Sequence, residues 1–172
     1  VSDMLALYTS IADGSITKPK VTVVYDTFYH ATESMARAVE EGVRSVGCDV
    51  ERLNASVAGT TSVARHCFDS KVTAWGTPTL NGGMHPDIAG VLHYAKGLKL
   101  LEKKPGAVFG SYGWGPGGTS TLAAQLEESG STLVCDPVSM QWRPTEEKLK
   151  ECFDLGKRLG NIALEKEKFE IK

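Results

Sequence analysis

Five short runs rich in apolar and β-branched residues alternate along the chain with segments whose apolar residues recur every three or four positions. The runs are residues 21–25, 50–53, 72–75, 107–109 and 132–135. Such runs are typical of strands buried on both faces of a parallel sheet. The alternation predicts a doubly wound α/β domain, a three-layer sandwich around a five-stranded parallel sheet.

The segments between the runs predict five helices. The first has the spacing of a single buried helix face. Its apolar positions are Met35, Ala38, Val39, Gly42, Val43 and Val46. The others are a short helix over 57–67, one that begins at Pro86, one that ends at Gly130 and one capped by Thr145.

Residues 1–20 lie outside this alternation and are interpreted as a lead-in, so that the domain covers 21–172. Apolar residues between Met4 and Ile11 predict a short amphipathic helix that ends at Asp13-Gly14, and residues 17–20 are predicted to be a linker. The chain starts at Val1 without an initiator methionine. We therefore expect it to be an excised or processed piece.

The composition argues against several classes of function. A net charge of −2 gives no argument for nucleic acid or an anionic membrane as partner. No apolar run approaches the roughly 18 residues that a membrane span requires. The four cysteines are scattered without a Cys-x-x-Cys motif, which indicates free buried thiols in a reducing compartment and predicts a cytoplasmic protein.

Ligands of doubly wound domains bind outside the carboxyl ends of the strands, and the loop after the first strand has the chemistry of a phosphate site. This first loop, Thr27–Thr32, supplies three hydroxyls, contains no Lys or Arg, and leads into a helix N-terminus that favours an anion. It lacks the glycines and lysine of a nucleoside-triphosphate loop and the Gly-x-Gly-x-x-Gly of a dinucleotide site. A single phosphomonoester is the ligand that it suits. The candidate residues are Thr27, Phe28, Tyr29, His30, Ala31 and Thr32.

Two further loops supply glycine and aromatic residues. The second loop, Gly76–Gly83, joins a stiff Thr-Pro-Thr to an Asn-Gly-Gly turn, and the third loop, Gly110–Gly118, has five glycines and two aromatic residues without a charge. The candidates in the second loop are Thr77, Pro78, Thr79, Leu80, Asn81 and Gly82. Those in the third loop are Ser111, Tyr112, Gly113, Trp114, Gly115 and Gly118.

Each loop alone is also compatible with an ordinary turn: Thr32 as a helix cap, the second loop as a surface turn, or an aromatic ring packed over glycine. The occurrence of all three loops at strand ends indicates that they form one ligand site. A phosphate held by the first loop and a planar ring held between the other two describe flavin mononucleotide (FMN).

The chain resembles the flavodoxin-like domain of the flavodiiron proteins, also called A-type flavoproteins, from about Val21 to Gly160. The resemblance rests on Val-Tyr-Asp-Thr-x-Tyr-x-x-Thr-Glu-x-Met-Ala, Gly-Thr-Pro-Thr-x-Asn-Gly and Phe-Gly-Ser-Tyr-Gly-Trp, with Pro-Thr-x-Glu near the C-terminus. It implies strand order 2-1-3-4-5 and an electron-transfer domain that binds FMN. It further implies a donor such as rubredoxin, a diiron domain upstream that reduces O₂ or NO, and a parent protein that is a homodimer or larger.

The diiron ligands are not in this chain, which has no His-x-Glu-x-Asp-His and no histidine with ligand-like spacing to carboxylates. We therefore predict no metal site and no catalytic acid, base or nucleophile. Two positions depart from the family pattern. His30 stands where a glycine is usual, and either donates to the phosphate or is an exposed loop residue. Leu80 stands where an aromatic residue is common, which leaves Tyr112 and Trp114 as the main ring contacts.

Three other functions remain as alternatives. A stand-alone NAD(P)H:quinone reductase would share the fold, although no basic cluster lies near the loops for an NADP phosphate. A related module could have lost its flavin. A receiver domain would need an Asp after the third strand and a Lys after the fifth, where this chain has Trp75-Gly76 and Asp136-Pro137.

Overall fold

The computed structural model describes residues 17–171, and the helix predicted between Met4 and Ile11 lies outside them. Strands and helices alternate along the described chain. In order they are β1 (Lys18–Tyr25), α1 (Ala31–Ser45), β2 (Asp49–Asn54), α2 (Ala55–Asp69), β3 (Ser70–Pro78), α3 (Pro86–Gly97), β4 (Pro105–Tyr112), α4 (Gly117–Glu128), β5 (Thr132–Leu133), β6 (Val138–Gln141) and α5 (Glu146–Ala163). None of these helices is long and apolar enough to cross a membrane.

The sheet is parallel and has the order β2-β1-β3-β4-β5, with β6 also paired to β4. This confirms the predicted doubly wound class and the predicted strand order. The register pairs Tyr25 with Gly76 and Pro78 with Ser111. The carboxyl ends of β1, β3 and β4 consequently lie side by side along one edge of the sheet.

The fifth strand differs from the prediction because it is divided. β5 stops after Leu133, opposite Gly106, and pairing to β4 resumes at Val138, opposite Phe109. Five residue steps on this strand therefore match three on β4, so two residues are extra. The break contains Pro137, which has no N–H to donate to a strand ladder. The second half carries the chain as far as Tyr112, which the predicted 132–135 strand would not reach.

Two smaller boundaries also differ. β1 begins at Lys18, so Lys18–Lys20 belong to a strand and not to the predicted linker. Helix α2 is longer than the predicted 57–67 and is kinked at Gly59, whose φ of 73° is accessible at little cost to glycine.

The core lies on both faces of the sheet because alternate strand residues point to opposite sides. Val23 and Phe109 pack with α1 and α5, whereas Val24 and Trp75 pack with α2, α3 and α4. All four are fully buried. Cys48, Cys67, Cys135 and Cys152 are free thiols, as expected, and burial raises the pKa of Cys67 and of Cys152 to about 12.

Helices α1 and α5 pack closely through glycine. A Cβ at Gly42 would lie 2.0 Å from the carbonyl oxygen of Phe153, and a Cβ at Gly156 would lie 2.1 Å from that of Val39. Because the obstructing atoms are backbone, only a shift of one helix could make room. This close approach holds α1, whose N-terminus adjoins the first loop, against the rest of the domain.

Gly42→Ala is therefore expected to lower the free energy of unfolding by about 1–3 kcal/mol or more, because it overpacks a backbone contact. Gly90→Ala is the matched control, since Gly90 also lies within a helix but has nothing within 4 Å of its added Cβ. The control should raise stability by about 0.5–1 kcal/mol. Urea denaturation followed by circular dichroism measures both, and equal stabilities would contradict the packing argument.

Candidate functional site

The three loops meet at the carboxyl edge of the sheet and are bonded to one another. Thr32 joins the first loop to the third through a buried hydroxyl–hydroxyl hydrogen bond of 2.9 Å to Ser111. The N–H of Thr79 donates to the carbonyl of Ser111 over 2.8 Å and joins the second loop to the third. The predicted candidates are thus brought together in one region.

The first loop turns sharply before α1. Tyr29 and His30 both have left-handed backbone, with φ of 50° and 63°. His30 is the N-cap of α1 but makes no side-chain capping bond, so it leaves the N–H groups of the first helical turn without a side-chain acceptor from the cap. Those N–H groups and the helix dipole make this end of α1 suitable for an anion.

His30 occupies a position whose backbone is ordinary for glycine and costly for other residues. Its Nδ1 lies 2.7 Å from Oε2 of Glu33, and its side chain is 83% exposed. The hydrogen bond with His30 is the main influence that lowers the pKa of Glu33. The imidazole therefore lies over the first turn of α1, where it is paired with the carboxylate of Glu33.

The second loop ends in a tight hairpin. Leu80 and Gly83 exchange backbone hydrogen bonds of 3.0 and 2.9 Å, and Asn81 and Gly82 between them have φ of 50° and 75°. Two positive φ values identify a type I′ turn, for which Asn-Gly is the favoured sequence. Asn81 and Gly82 are exposed at its tip, whereas Leu80 is half-buried.

Glycines of the third loop let its backbone approach the second loop. A Cβ at Gly110 would lie 2.0 Å from the carbonyl oxygen of Thr77, and a Cβ at Gly117 would lie 2.1 Å from that of Gly82. Gly118 donates its N–H to Oγ1 of Thr79 over 3.0 Å and is buried. By contrast, an added Cβ at Gly115 would meet nothing within 4 Å. Gly110, Gly117 and Gly118 thus let the third loop pack directly against the second.

The remaining predicted residues occupy different depths. Thr77 is buried, and its hydroxyl donates to the carbonyl of Pro78 while accepting from the N–H of His85. Tyr29 and Trp114 are 99% and 93% exposed. The other predicted positions are half-buried or buried: Thr27, Phe28, Ala31, Thr32, Pro78, Thr79, Ser111, Tyr112 and Gly113.

Trp142 is a site residue that the sequence interpretation missed. It follows β6, is 57% exposed, and packs edge to face with Trp114 at 5.6 Å between ring centroids and 74° between planes. Continuation of the fifth strand beyond Asp136-Pro137 would have been the signal for it. The predicted strand ended before that point, so Trp142 was not assigned to the site.

A second unforeseen group surrounds Asp26. Its buried carboxylate accepts from the N–H groups of Thr27 and Ser56, at 2.7 and 3.1 Å. Nδ1 of His85 lies 3.7 Å from this carboxylate, and the His85 ring lies 4.7 Å from that of Phe28. The group anchors the first loop to the starts of α2 and α3.

The same group brings one histidine close to two carboxylates. Possible ligand atoms of Asp26, His85 and Asp87 lie within 4.8 Å of one another, although the sequence spacing did not indicate it. Three of these atoms also accept backbone hydrogen bonds: both oxygens of Asp26 accept N–H groups, and Nδ1 of His85 accepts from the N–H of Asp87 over 3.3 Å.

The model of the flavodoxin family matches residues 23–156, which include all three loops and most of the sheet. The chain belongs to the flavodoxin family. Flavodoxins are FMN-binding flavoproteins, and the membership confirms FMN as the cofactor predicted from the loops.

Three relatives of this flavodoxin-family chain are larger proteins. The nitric oxide reductase of Moorella thermoacetica is 32% identical over 91% of this chain and 39% of its own length. The rubredoxin-oxygen oxidoreductase of Megalodesulfovibrio gigas is 36% identical over 73% of this chain and 31% of its own length. The crystal structure of the flavodiiron protein from Giardia intestinalis superimposes with a TM-score of 0.90 at 34% identity, over 93% of this chain and 40% of that chain. The chain thus spans about two fifths or less of the length of these relatives.

His30→Gly is expected to stabilise the domain by up to about 1 kcal/mol. Glycine adopts the left-handed conformation without strain, and this gain exceeds the extra backbone entropy that glycine loses on folding. His30→Ala keeps the strain and loses the pairing with Glu33, so it should be less stable than His30→Gly. Thermal unfolding monitored by circular dichroism compares the two.

In both variants the pKa of Glu33 should rise toward its ordinary value, as measured by NMR titration of its carboxyl carbon. Because His30 lowers that pKa in the folded state, the associated stability is present above the unfolded pKa and is lost as pH falls through the folded one. An unchanged Glu33 titration would show that the pairing does not exist in solution.

Proposed function

We propose that this domain binds FMN through its three loops and passes electrons between a protein donor and a second redox centre. The observation that carries the proposal is the hydrogen-bonded meeting of the three loops, with a helix N-terminus on one side and exposed aromatic rings on the other. The first loop would hold the phosphate, and the second and third loops would hold the ring system.

The phosphate end depends on backbone rather than on basic side chains. The N–H groups at the start of α1 converge on the first loop, where His30 supplies no side-chain acceptor. Oγ1 of Thr27 is bonded only locally, to the carbonyl of Phe28, and can turn toward an anion. A dianion held by N–H groups, hydroxyls and the helix dipole needs no Lys or Arg in the loop.

The ring end combines an aliphatic and an aromatic face. Leu80 lies at the base of the Asn81-Gly82 hairpin, Tyr112 ends β4, and Trp114 follows in the third loop. Trp114 is 93% exposed, so its ring is accessible to a ligand. These residues would position a planar ring and exclude water from one side of it.

FMN, when bound, supplies one- and two-electron transfer, so the protein needs no acid, base or nucleophile of its own. The second and third loops contain no Asp or Glu, so they place no negative charge beside the ring. The role of this chain would be to bind the cofactor, orient it and leave one edge accessible.

The relatives guide the choice of partners. Two of them are named for nitric oxide reduction and for electron transfer from rubredoxin to oxygen, and the chain corresponds to a minor part of each. We propose that it is the electron-relay portion of such an oxidoreductase. A rubredoxin-like protein would be the donor, a diiron domain elsewhere in a homodimeric or larger cytoplasmic protein would be the acceptor, and O₂ or NO would be the terminal substrate.

Titration of the apoprotein with FMN should quench flavin fluorescence at one equivalent, with riboflavin binding about 10- to 100-fold more weakly because it lacks the phosphate. Gly117→Ala should weaken FMN binding at least about tenfold, since its Cβ would push the carbonyl of Gly82 and displace the second loop. Gly97→Ala, at the C-terminal end of α3, is the control: its added Cβ meets open space away from the three loops, and it should bind FMN nearly as the unsubstituted chain does. Equal affinities for FMN and riboflavin would contradict the phosphate role of the first loop.

Stopped-flow absorbance distinguishes the relay from a quinone reductase. Reduced rubredoxin should reduce the bound flavin rapidly, whereas NADPH without a donor protein should do so only slowly. Rapid direct oxidation of NADPH, followed by quinone reduction, would replace the relay with the NAD(P)H:quinone reductase alternative.

A further inference from the structure

We infer that Trp142 is a positioning residue that orders Trp114 for binding the flavin ring. The inference rests on the proposed function, because Trp114 is taken as a ring contact of FMN. It adds a role for the segment after β6, which lies within the residues matched to the flavodoxin family but outside the three loops.

Trp114 has little protein surface to fix its side chain. It is 93% exposed, and the aromatic contact that the structure gives it is the edge-to-face packing against Trp142. Edge-to-face pairing at 5.6 Å is a favoured geometry for two aromatic rings. Trp142 therefore restricts the orientations of a ring that would otherwise sample several rotamers in water.

Trp142 is itself held on the third loop by three separate contacts. The backbone N–H of Trp142 donates to the carbonyl of Tyr112 over 2.8 Å, and the side-chain Nε2 of the preceding Gln141 donates to the carbonyl of Gly113 over 2.9 Å. A Cβ at Gly113 would come within 3.2 Å of the Trp142 ring, so the absence of a side chain there makes room for the indole.

The backbone of Trp142 gives independent support. Its φ is 60°, a left-handed conformation that is rare for a bulky residue and persists where surrounding contacts impose it. The two residues inserted between β5 and β6 change the register of the strand before it reaches Tyr112. The chain thus reaches the third loop at a place where the indole lies beside Trp114.

The consequence for binding is preorganisation. A ligand that packs on an already ordered ring loses less side-chain entropy than one that must order the ring itself. The structure therefore assigns Trp142 an indirect contribution to flavin affinity, exerted through Trp114 and not by contact with the flavin.

Two readouts test this in the purified chain. Paired tryptophans give an exciton couplet in the far-ultraviolet circular dichroism of the flavin-free protein, and Trp142→Gly should abolish it without lowering stability, since glycine suits the backbone conformation. The same variant should weaken FMN binding about 2- to 10-fold, the range expected for loss of one aromatic pair. Trp142→Phe retains an edge-to-face partner and should restore most of the affinity.

A double-mutant cycle separates positioning from direct contact. In a Trp114→Leu background, Trp142→Gly should change the FMN dissociation constant no further. An additive loss would show that Trp142 contacts the flavin directly and would overturn the inference. Loss of the couplet with unchanged affinity would also overturn it, while leaving the proposed function intact. If the unsubstituted chain failed to bind FMN, the proposed function would be wrong, and Trp114 could not be a contact of the flavin ring.

Discussion

The parallel register of the three central strands is the constraint on which the candidate site depends. Hydrogen bonding aligns Tyr25 with Gly76 and Pro78 with Ser111, so the ends of β1, β3 and β4 fall within one short stretch of the sheet edge. Loops that lie far apart in the chain are thereby adjacent. A shift of register by one residue would move the side chains of each apolar core to the opposite face of the sheet, and the packing of both cores opposes such a shift.

Packing between loops then defines the shape of the site. The Thr32–Ser111 hydroxyl bond, the bond from Thr79 to Ser111, and the approach of Gly117 to Gly82 make the three loops one unit. These contacts give some residues a supporting role that their sequence context did not reveal. Gly118, for example, donates its N–H to Thr79 and so supports the second loop.

The surface of the site shows a division of chemistry that agrees with its family. Backbone N–H groups and hydroxyls gather at the start of α1, and exposed rings gather at the ends of β4 and β6. The anchoring group of Asp26, His85 and Phe28 lies beneath and joins the first loop to neighbouring helices. Polar and aromatic functions are thus separated along the sheet edge, as a ligand with a phosphate at one end and a flat ring at the other requires.

The sequence by itself determined the fold class, the positions of four of the five predicted strands and the three loops, because each depends on local patterns. Apolar β-branched runs make strands, one-face spacing makes helices, and Asn-Gly makes a type I′ turn wherever it stands between extended segments. Only the tertiary structure decided what depends on register and on contact between distant segments. The interrupted fifth strand, the placement of Trp142 beside Trp114 and the approach of His85 to Asp26 all arise from long-range packing, which local residue preferences do not encode.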